Sequence, residues 1–312
     1  MRLIEDITDF PTNIRTVVTS GTFDGVHQGH EKILRRVVQL GHDRQQKSVV
    51  LTFWPHPRYV LHQDDHRLKL LSTFEEKARL IEQTGIDYLV RIPFTEQFSQ
   101  MEPEDFVRQV LIDHLNTATL VIGYDHHFGK ERKGNFDYLQ ARAASFGFDL
   151  LEISRHDIDD VGVSSTKIRT ALFEGRVHDA RSLLGRPYSL TGQVVEGDRL
   201  GRKLGYPTAN IWVPESYKLI PAEGVYATTV RWKGSEWKGM TNIGVRPTVN
   251  GSQKRIEVNI FNFEADLYNR EIELFFIRKI REEIKFDSLD MLVKQLTLDK
   301  EQILNIFSNE KH

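Results

Sequence analysis

His27 and His30 lie three residues apart within Gly21-Thr22-Phe23-Asp24-Gly25-Val26-His27-Gln28-Gly29-His30. The segment follows an apolar run, Thr16-Val17-Val18-Thr19, and precedes a helical pattern from Glu31 to Leu40. A strand, a tight turn and a helix in that order place both imidazoles at a helix N-terminus. Unpaired N–H donors and partial positive charge there attract phosphate. The glycines allow close backbone approach. The spacing is neither G-x-G-x-x-G nor G-x-x-x-x-G-K-[ST]. The His-x-Gly-His form points instead to attack on the α-phosphate of a nucleoside triphosphate.

Nucleotidyl transfer needs an anion cradle, cations that follow charge onto the leaving pyrophosphate, and a place for the nucleophile. His27 and His30 are candidate donors to phosphate. A second cluster, Val163-Ser164-Ser165-Thr166-Lys167-Ile168-Arg169, puts small hydroxyls before a helix and a planar cation one turn on. Ser164-Ser165-Thr166 also reads as an ordinary helix cap. Asp24 is either a ligand contact or a residue that orients the turn. Trp54-Pro55-His56-Pro57 is a rigid turn after a strand, in which His56 is either structural or a substrate contact. His126 and His127 are adjacent on an extended segment, so they face opposite ways and do not form a joint metal site.

The densest segment of the second half runs from Gly197 to Asn210. Its glycines, with Arg199, Arg202 and Lys203, suit a polyphosphate. Thr208 and Asn210 offer neutral oxygens of the kind Mg²⁺ shares with substrate phosphates. A basic hairpin, or a loop touching nucleic acid, is the plainer alternative. Glu257 lies in an alternating run, Arg255-Ile256-Glu257-Val258-Asn259. A lone strand glutamate usually faces solvent. A kinase acting on an alcohol, however, needs a carboxylate to activate the hydroxyl.

The elements that must position these residues fall into two textures. From Thr16 to about Arg186 strands and helices alternate. Strands are predicted at 49–53, 88–92, 119–122 and 149–153, and helices at 74–84, 103–115 and 136–146. That alternation implies a parallel sheet covered on both faces, with ligands beyond the carboxyl ends of its strands. After Arg186-Pro187 short strands dominate, at 190–195, 225–232, 236–243, 256–261 and 271–277, and a helix is predicted over 288–306. This implies a small antiparallel barrel closed by a helix. The boundary is placed near 183–189. The chain has 312 residues, enough for two cores, and a net charge of −2, which gives no bulk attraction to nucleic acid or membrane. Without cysteine, thiolate catalysis and disulfides are excluded. The acidic start lacks a signal core, so a cytoplasmic protein is expected.

Six motifs, in order, carry a family resemblance. They are Gly21 to His30, Thr52-Phe53-x-Pro55-His56-Pro57, Ser164-Ser165-Thr166-x-Ile168-Arg169, Gly201-Arg202-x-Leu204-Gly205-Tyr206-Pro207-Thr208-Ala209-Asn210, Asn242-Ile243-Gly244-x-Arg246-Pro247-Thr248, and Ile256-Glu257-Val258. Across nearly its whole length the chain resembles the prokaryotic bifunctional riboflavin kinase/FAD synthetase family. The resemblance implies an α/β fold: a Rossmann-like nucleotidylyltransferase domain over 1–186 and a riboflavin kinase barrel with a terminal helix over 187–312. It implies phosphorylation of riboflavin to FMN, then adenylylation of FMN to FAD with release of pyrophosphate. His27, His30 and Arg169 become catalytic candidates beside Glu257. Gly21, Phe23, Asp24, Gly25, Ser164, Ser165, Thr166, Gly201, Arg202 and Lys203 become candidate ATP contacts. His56, Asp125 and Arg281 become candidate flavin contacts, and Thr208 and Asn210 candidate Mg²⁺ ligands. The implied partners are ATP, riboflavin and FMN, with no nucleic acid and no membrane, in a monomer or weak homo-oligomer. His126-His127 replaces the family's usual aromatic-Arg pair, and Asn269 stands where a turn glycine is common. One live enzyme with one degenerate flavin-binding domain, a protein that grips RNA, and a flavin-responsive regulator remain the alternatives.

Overall fold

The computed structural model describes residues 1–62, 68–124, 126–153, 162–197, 200–248 and 251–309, with the side chains of 200, 203, 246–248 and 251–253 left aside. Contacts divide the chain into two compact units, Met1–Ser165 and Thr166–His312.

The first unit is built on six parallel strands: β1 (Arg2–Ile4), β2 (Thr16–Ser20), β3 (Lys47–Trp54), β4 (Tyr88–Pro93), β5 (Thr117–Gly123) and β6 (Asp149–Ile153). Their order is β1-β4-β3-β2-β5-β6. The strands are apolar at successive positions because both faces are covered. Val18, Val49, Leu51, Leu120 and Ile122 enter one core cluster, whereas their alternating neighbours Val17, Val50 and Val121 enter another. Chain order runs outward from β2 through β3 to β4, then resumes on the other side at β5. The topological switch point, where open α/β sheets bind ligands, therefore lies between β2 and β5.

Helix α1 (Gln28–Asp43) follows β2 and buries Ile33, Leu34, Val37 and Leu40, a stripe at helical spacing. The short α2 (Pro57–Leu61) follows β3. Helix α3 (Phe74–Glu82) opens with a capping box between Thr73 and Glu76. Two helical expectations change in detail. The 103–115 stretch is a single α-turn, Pro103–Asp105, continued by a π-helix over Phe106–His114. The 136–146 stretch splits into Phe136–Gln140 and Ala143–Phe146 around Arg142, whose φ of −125° leaves the helical region.

The second unit contains α4 (Ser165–Phe173), most of whose length lies in it, and α5 (Val177–Leu184). Six antiparallel strands follow: β7 (Tyr188–Val195), β8 (Ala209–Trp212), β9 (Gly224–Trp232), β10 (Ser235–Thr248), β11 (Gly251–Ile260) and β12 (Glu271–Arg281). They close into a barrel in the order β10-β11-β8-β7-β12-β9. The change of texture at 186–187 marks where the strands begin. The packing division falls earlier because α5 lies against β7 and β12. Helix α6 (Leu289–Asn309) packs Ile303 and Phe307 against Val225, Ala227, Met240, Phe261 and Ile277 of the barrel. Among the described residues no helix is long and apolar enough to cross a membrane.

Candidate active sites

In the first unit the turn after β2 has a strained backbone. Phe23 (φ 48°) and Val26 (φ 38°) adopt left-handed conformations on either side of Gly25 (φ 79°). For side chains with a Cβ this costs roughly 1–3 kcal/mol each. The surroundings hold it in place. The buried Asp24 carboxylate accepts the Leu71 amide (2.9 Å to Oδ1, 3.1 Å to Oδ2) and the Ser72 amide (3.2 Å). The Gly25 amide donates to Ser72 Oγ at 3.1 Å. The Ser165 hydroxyl donates to the Asp24 carbonyl at 3.1 Å. A Cβ on Gly25 would lie 2.7 Å from Leu71, so the position also needs glycine for space.

Of the two roles open to Asp24, this geometry displays the turn-orienting one. Its carboxylate is turned into the fold onto two amides, and a second anion beside a phosphate would repel it. Asp24 shapes the turn.

His27 is the N-cap of α1, with Nδ1 accepting the His30 amide at 3.3 Å. An accepting Nδ1 in a neutral ring leaves the proton on Nε2, which is then a donor. The His30 ring stacks on it, with centroids 3.6 Å apart, and meets the edge of Phe23 at 5.2 Å. The Gly21 amide continues the β2–β3 ladder onto Leu51. Ser164 and Ser165 are half-buried. Thr166 and Arg169 follow on α4, three residues apart and so on one helix face.

At the switch point, Ser20 Oγ and His126 Nε2 are 3.1 Å apart. Burial, with the His127 and Arg132 charges beside it, pushes His126 down to about 4, so its ring is neutral at neutral pH. His127 turns away to the Arg132 carbonyl at 3.2 Å, as adjacent residues on an extended segment should. His56 caps α2, its Nδ1 accepting the Arg58 amide at 3.2 Å. Asp125 lies outside the described residues.

In the second unit Glu257 and Asn210 are directly paired across β11 and β8. Glu257 lies on a cavity wall, half-buried, and not on a solvated face. Its Oε2 accepts the Thr208 hydroxyl at 3.4 Å, and its Oε1 is 3.3 Å from the Arg255 guanidinium. The cavity has a volume of about 240 Å³. Leu204, Tyr206, Met240, Phe286, Leu292 and Leu296 supply apolar walls, and Thr208, Asn242, Glu257, Asn259, Arg281 and Glu283 polar ones. A second cavity of about 640 Å³ is lined by Arg202, Pro207, Glu264, Asp266 and Tyr268. Thr208 lines both.

Two glycines permit this arrangement. A Cβ on Gly197 would overlap the Asn210 amide, and one on Gly201 would overlap the Tyr206 carbonyl. Arg202 faces the larger cavity, while the Lys203 side chain lies outside those described. Arg281 lines the smaller cavity, but its guanidinium is held by Asp299, with Nε at 3.0–3.1 Å and Nη2 at 2.8 Å. Asp299 is 1% exposed and also accepts Gln295 Nε2 at 2.8 Å. Arg281 therefore pins α6 over the cavity, a role beyond the flavin contact expected of it.

Among the described residues no group of three or more His, Cys, Asp or Glu could hold a metal ion. A cation here would depend on neutral oxygens and on the substrate's own phosphates, which is how Mg²⁺ is commonly held. Asn210 Oδ1 is buried without a hydrogen-bond partner, close to Thr208 and Glu257. Such an orphaned oxygen is costly unless something else meets it, and the donor set fits a hard divalent cation.

Lys77 and Asp299 escaped the sequence reading. The signal was spacing. Lys77 stands three residues after Phe74 and four before Ile81, both buried, and Asp299 stands four before Ile303. Each charge sits on the buried stripe of its helix.

Comparison with known proteins agrees with this division. Residues 9–167 match the model of the FAD synthetase family, and residues 184–307 that of the riboflavin kinase family. A bifunctional riboflavin kinase/FMN adenylyltransferase of Buchnera aphidicola is 37% identical over 313 residues, covering 99% of both chains. The protein of the same name from Escherichia coli K12 is 37% identical, over 91% of this chain and 90% of its own. A crystal structure described as a macrolide-efflux protein of Streptococcus pneumoniae superposes with a TM-score of 0.88 at 32% identity, covering 97% of this chain and 98% of its own. Efflux is that protein's description, and neither family match points to it. The chain belongs to the bifunctional riboflavin kinase/FMN adenylyltransferase family.

Proposed function

We propose that the two reactions of the family divide between residues 1–186, for adenylyl transfer, and 187–312, for phosphorylation, each on its own ATP. The observation that carries the kinase assignment is Thr208, which lines both barrel cavities with Glu257 beside it. Phosphoryl transfer needs donor and acceptor to meet in line at one point.

In this reading the apolar cavity takes the riboflavin ring and the larger, polar cavity takes ATP, with Arg202 and Lys203 on its phosphates. Glu257 accepts the proton of the riboflavin 5′-hydroxyl as that oxygen bonds to the γ-phosphorus. The bond to the β-phosphate oxygen breaks and ADP leaves. Asn210 Oδ1 and Thr208 Oγ1 would hold Mg²⁺, which neutralises phosphate charge when bound.

In the first unit no base is required, because the nucleophile is already an anion, the FMN phosphate. One of its oxygens bonds to the α-phosphorus of ATP while the bond to the β-phosphate oxygen breaks, giving FAD and pyrophosphate. His27 Nε2–H and His30 donate to the phosphates from the start of α1. The Gly21–Gly25 backbone lines the cradle, and Ser164 and Ser165, the last residues of this unit, hold the pyrophosphate side. His56 and Asp125 are the flavin-side candidates. The protein would act in the cytoplasm, as a monomer or weak homo-oligomer. Chromatography of products from Mg-ATP with riboflavin, and separately with FMN, tests both activities. FMN then FAD from the first and FAD from the second are expected, and a flavin left unchanged in either would refute that half.

A further inference from the structure

Lys77 is a buried charge that the two reactions leave without a task. It is 3% exposed, and Nζ donates to the Thr22 carbonyl at 3.1 Å and to Thr52 Oγ1 at 3.0 Å. Its ammonium also lies 5.2 Å from the Trp54 ring centroid and 5.5 Å from that of Phe74. Among the described residues no carboxylate is in contact with it, and a buried lysine held by two neutral oxygens is costly, because desolvating an ammonium is expensive. Its place explains why it is there. Thr22 begins the strained turn, and the Thr22–Phe23 peptide is trans, so its C=O and N–H point in opposite directions. With the carbonyl drawn inward onto Lys77, the Phe23 N–H points away from the lysine. Among the described residues no acceptor meets that N–H, as a donor kept for a ligand requires.

We propose that Lys77 is a positioning residue for adenylyl transfer: its ammonium fixes the Thr22–Phe23 peptide so that the Phe23 N–H is presented to the phosphates of the nucleotide, and places a buried positive charge behind them. The inference rests on the adenylyltransferase reading of this unit. Burial lowers Lys77 to about 8 against the opposing pull of Asp24, so at neutral pH it is still a cation. A neighbouring triphosphate would hold it charged more firmly.

The test is steady-state FAD synthesis from FMN by the full chain, comparing the parent with Lys77→Met and Lys77→Gln. Methionine fills similar space without donor or charge, and glutamine restores a donor alone. Lys77→Met should raise KM for ATP about tenfold or more, with KM for FMN and riboflavin phosphorylation within about twofold of the parent, and Lys77→Gln should fall between. A purely structural lysine would not separate the two KM values. An unchanged KM for ATP in folded Lys77→Met overturns the proposal, as does an equal rise in both KM values. If Lys77→Met does not fold, Thr52→Val decides, since it removes one ammonium partner while keeping shape. A rise of about threefold in KM for ATP alone supports the proposal, and no change overturns it. Absence of FAD from the parent enzyme would instead refute the adenylyltransferase reading itself.

Discussion

Replacing Asp24 by asparagine keeps the shape of the side chain and removes its charge. In the native turn Oδ1 accepts the Leu71 and Ser72 amides, and Oδ2 also faces the Leu71 amide. In Asp24→Asn one of these oxygens becomes an NH₂ group. If it replaces Oδ2 it meets the Leu71 N–H donor to donor, and if it replaces Oδ1 two amides lose their acceptor. Hydrogen bonds to a charged group contribute about 1.5–3 kcal/mol each against roughly 1 kcal/mol for neutral ones, so two such bonds lose about 1–4 kcal/mol. The left-handed Phe23 and Val26 together store roughly 2–6 kcal/mol that these contacts must offset. The loss is comparable with the stored strain, so the turn relaxes while the β2 core around it persists. Misplacing a phosphate cradle by even a fraction of its strength is visible, since about 2.7 kcal/mol is a hundredfold in rate. FAD synthesis from supplied FMN should therefore fall about a hundredfold in kcat/KM for ATP. Riboflavin phosphorylation by the same preparation serves as the internal control and should be unchanged. An Asp24→Asn enzyme within about threefold of the parent in FAD synthesis would refute the idea that this carboxylate maintains the cradle.

Gly197→Ala should depress riboflavin phosphorylation and raise the Mg²⁺ concentration for half-maximal rate, because the new methyl displaces the Asn210 amide; titration of rate against Mg²⁺ checks this. Asp299→Asn should destabilise the barrel unit by roughly 3–5 kcal/mol, the cost of leaving one partner of a buried ion pair unmatched, and raise KM for riboflavin as α6 loosens; denaturant unfolding and kinase assays read both. For Lys77 the folded pKa, about 8, lies below the unfolded value of 10.5. The unfolded chain then binds more protons between those values, so Lys77 makes stability rise with pH across that window. The stability of the parent relative to Lys77→Met should rise across that window, and parallel curves would contradict the assignment.

Five of the six parallel strands were readable because aliphatic and β-branched residues dominate them, and most of the barrel because Gly, Pro and Asn punctuate short alternating runs; the short β1 (Arg2–Ile4) and β8 (Ala209–Trp212) were not. The strand, turn and helix around His27 and His30 were readable from residue type and spacing alone. What escaped was set by tertiary context. The π-register of 106–114 changes which carbonyl each amide meets, as in Leu115 N to Val110 O, and leaves the apolar pattern of the segment intact. The sequence left Asp24 between ligand contact and turn orientation because its acceptor role depends on Leu71 and Ser72, brought near only by folding. Lys77 and Asp299 are charges whose partners, Thr22 with Thr52 and Arg281, lie outside their own helices. A charge on a buried stripe was the available sign in each case.

The most direct measurement uses Glu257→Gln in the full chain, assayed with Mg-ATP and riboflavin and then with Mg-ATP and FMN. Removing the carboxylate that takes the hydroxyl proton should slow riboflavin phosphorylation by about 10²–10⁴-fold, while FAD and pyrophosphate form from FMN at the parent rate. Loss of both activities in the folded variant, or retention of both, would contradict two separate sites with Glu257 serving one of them.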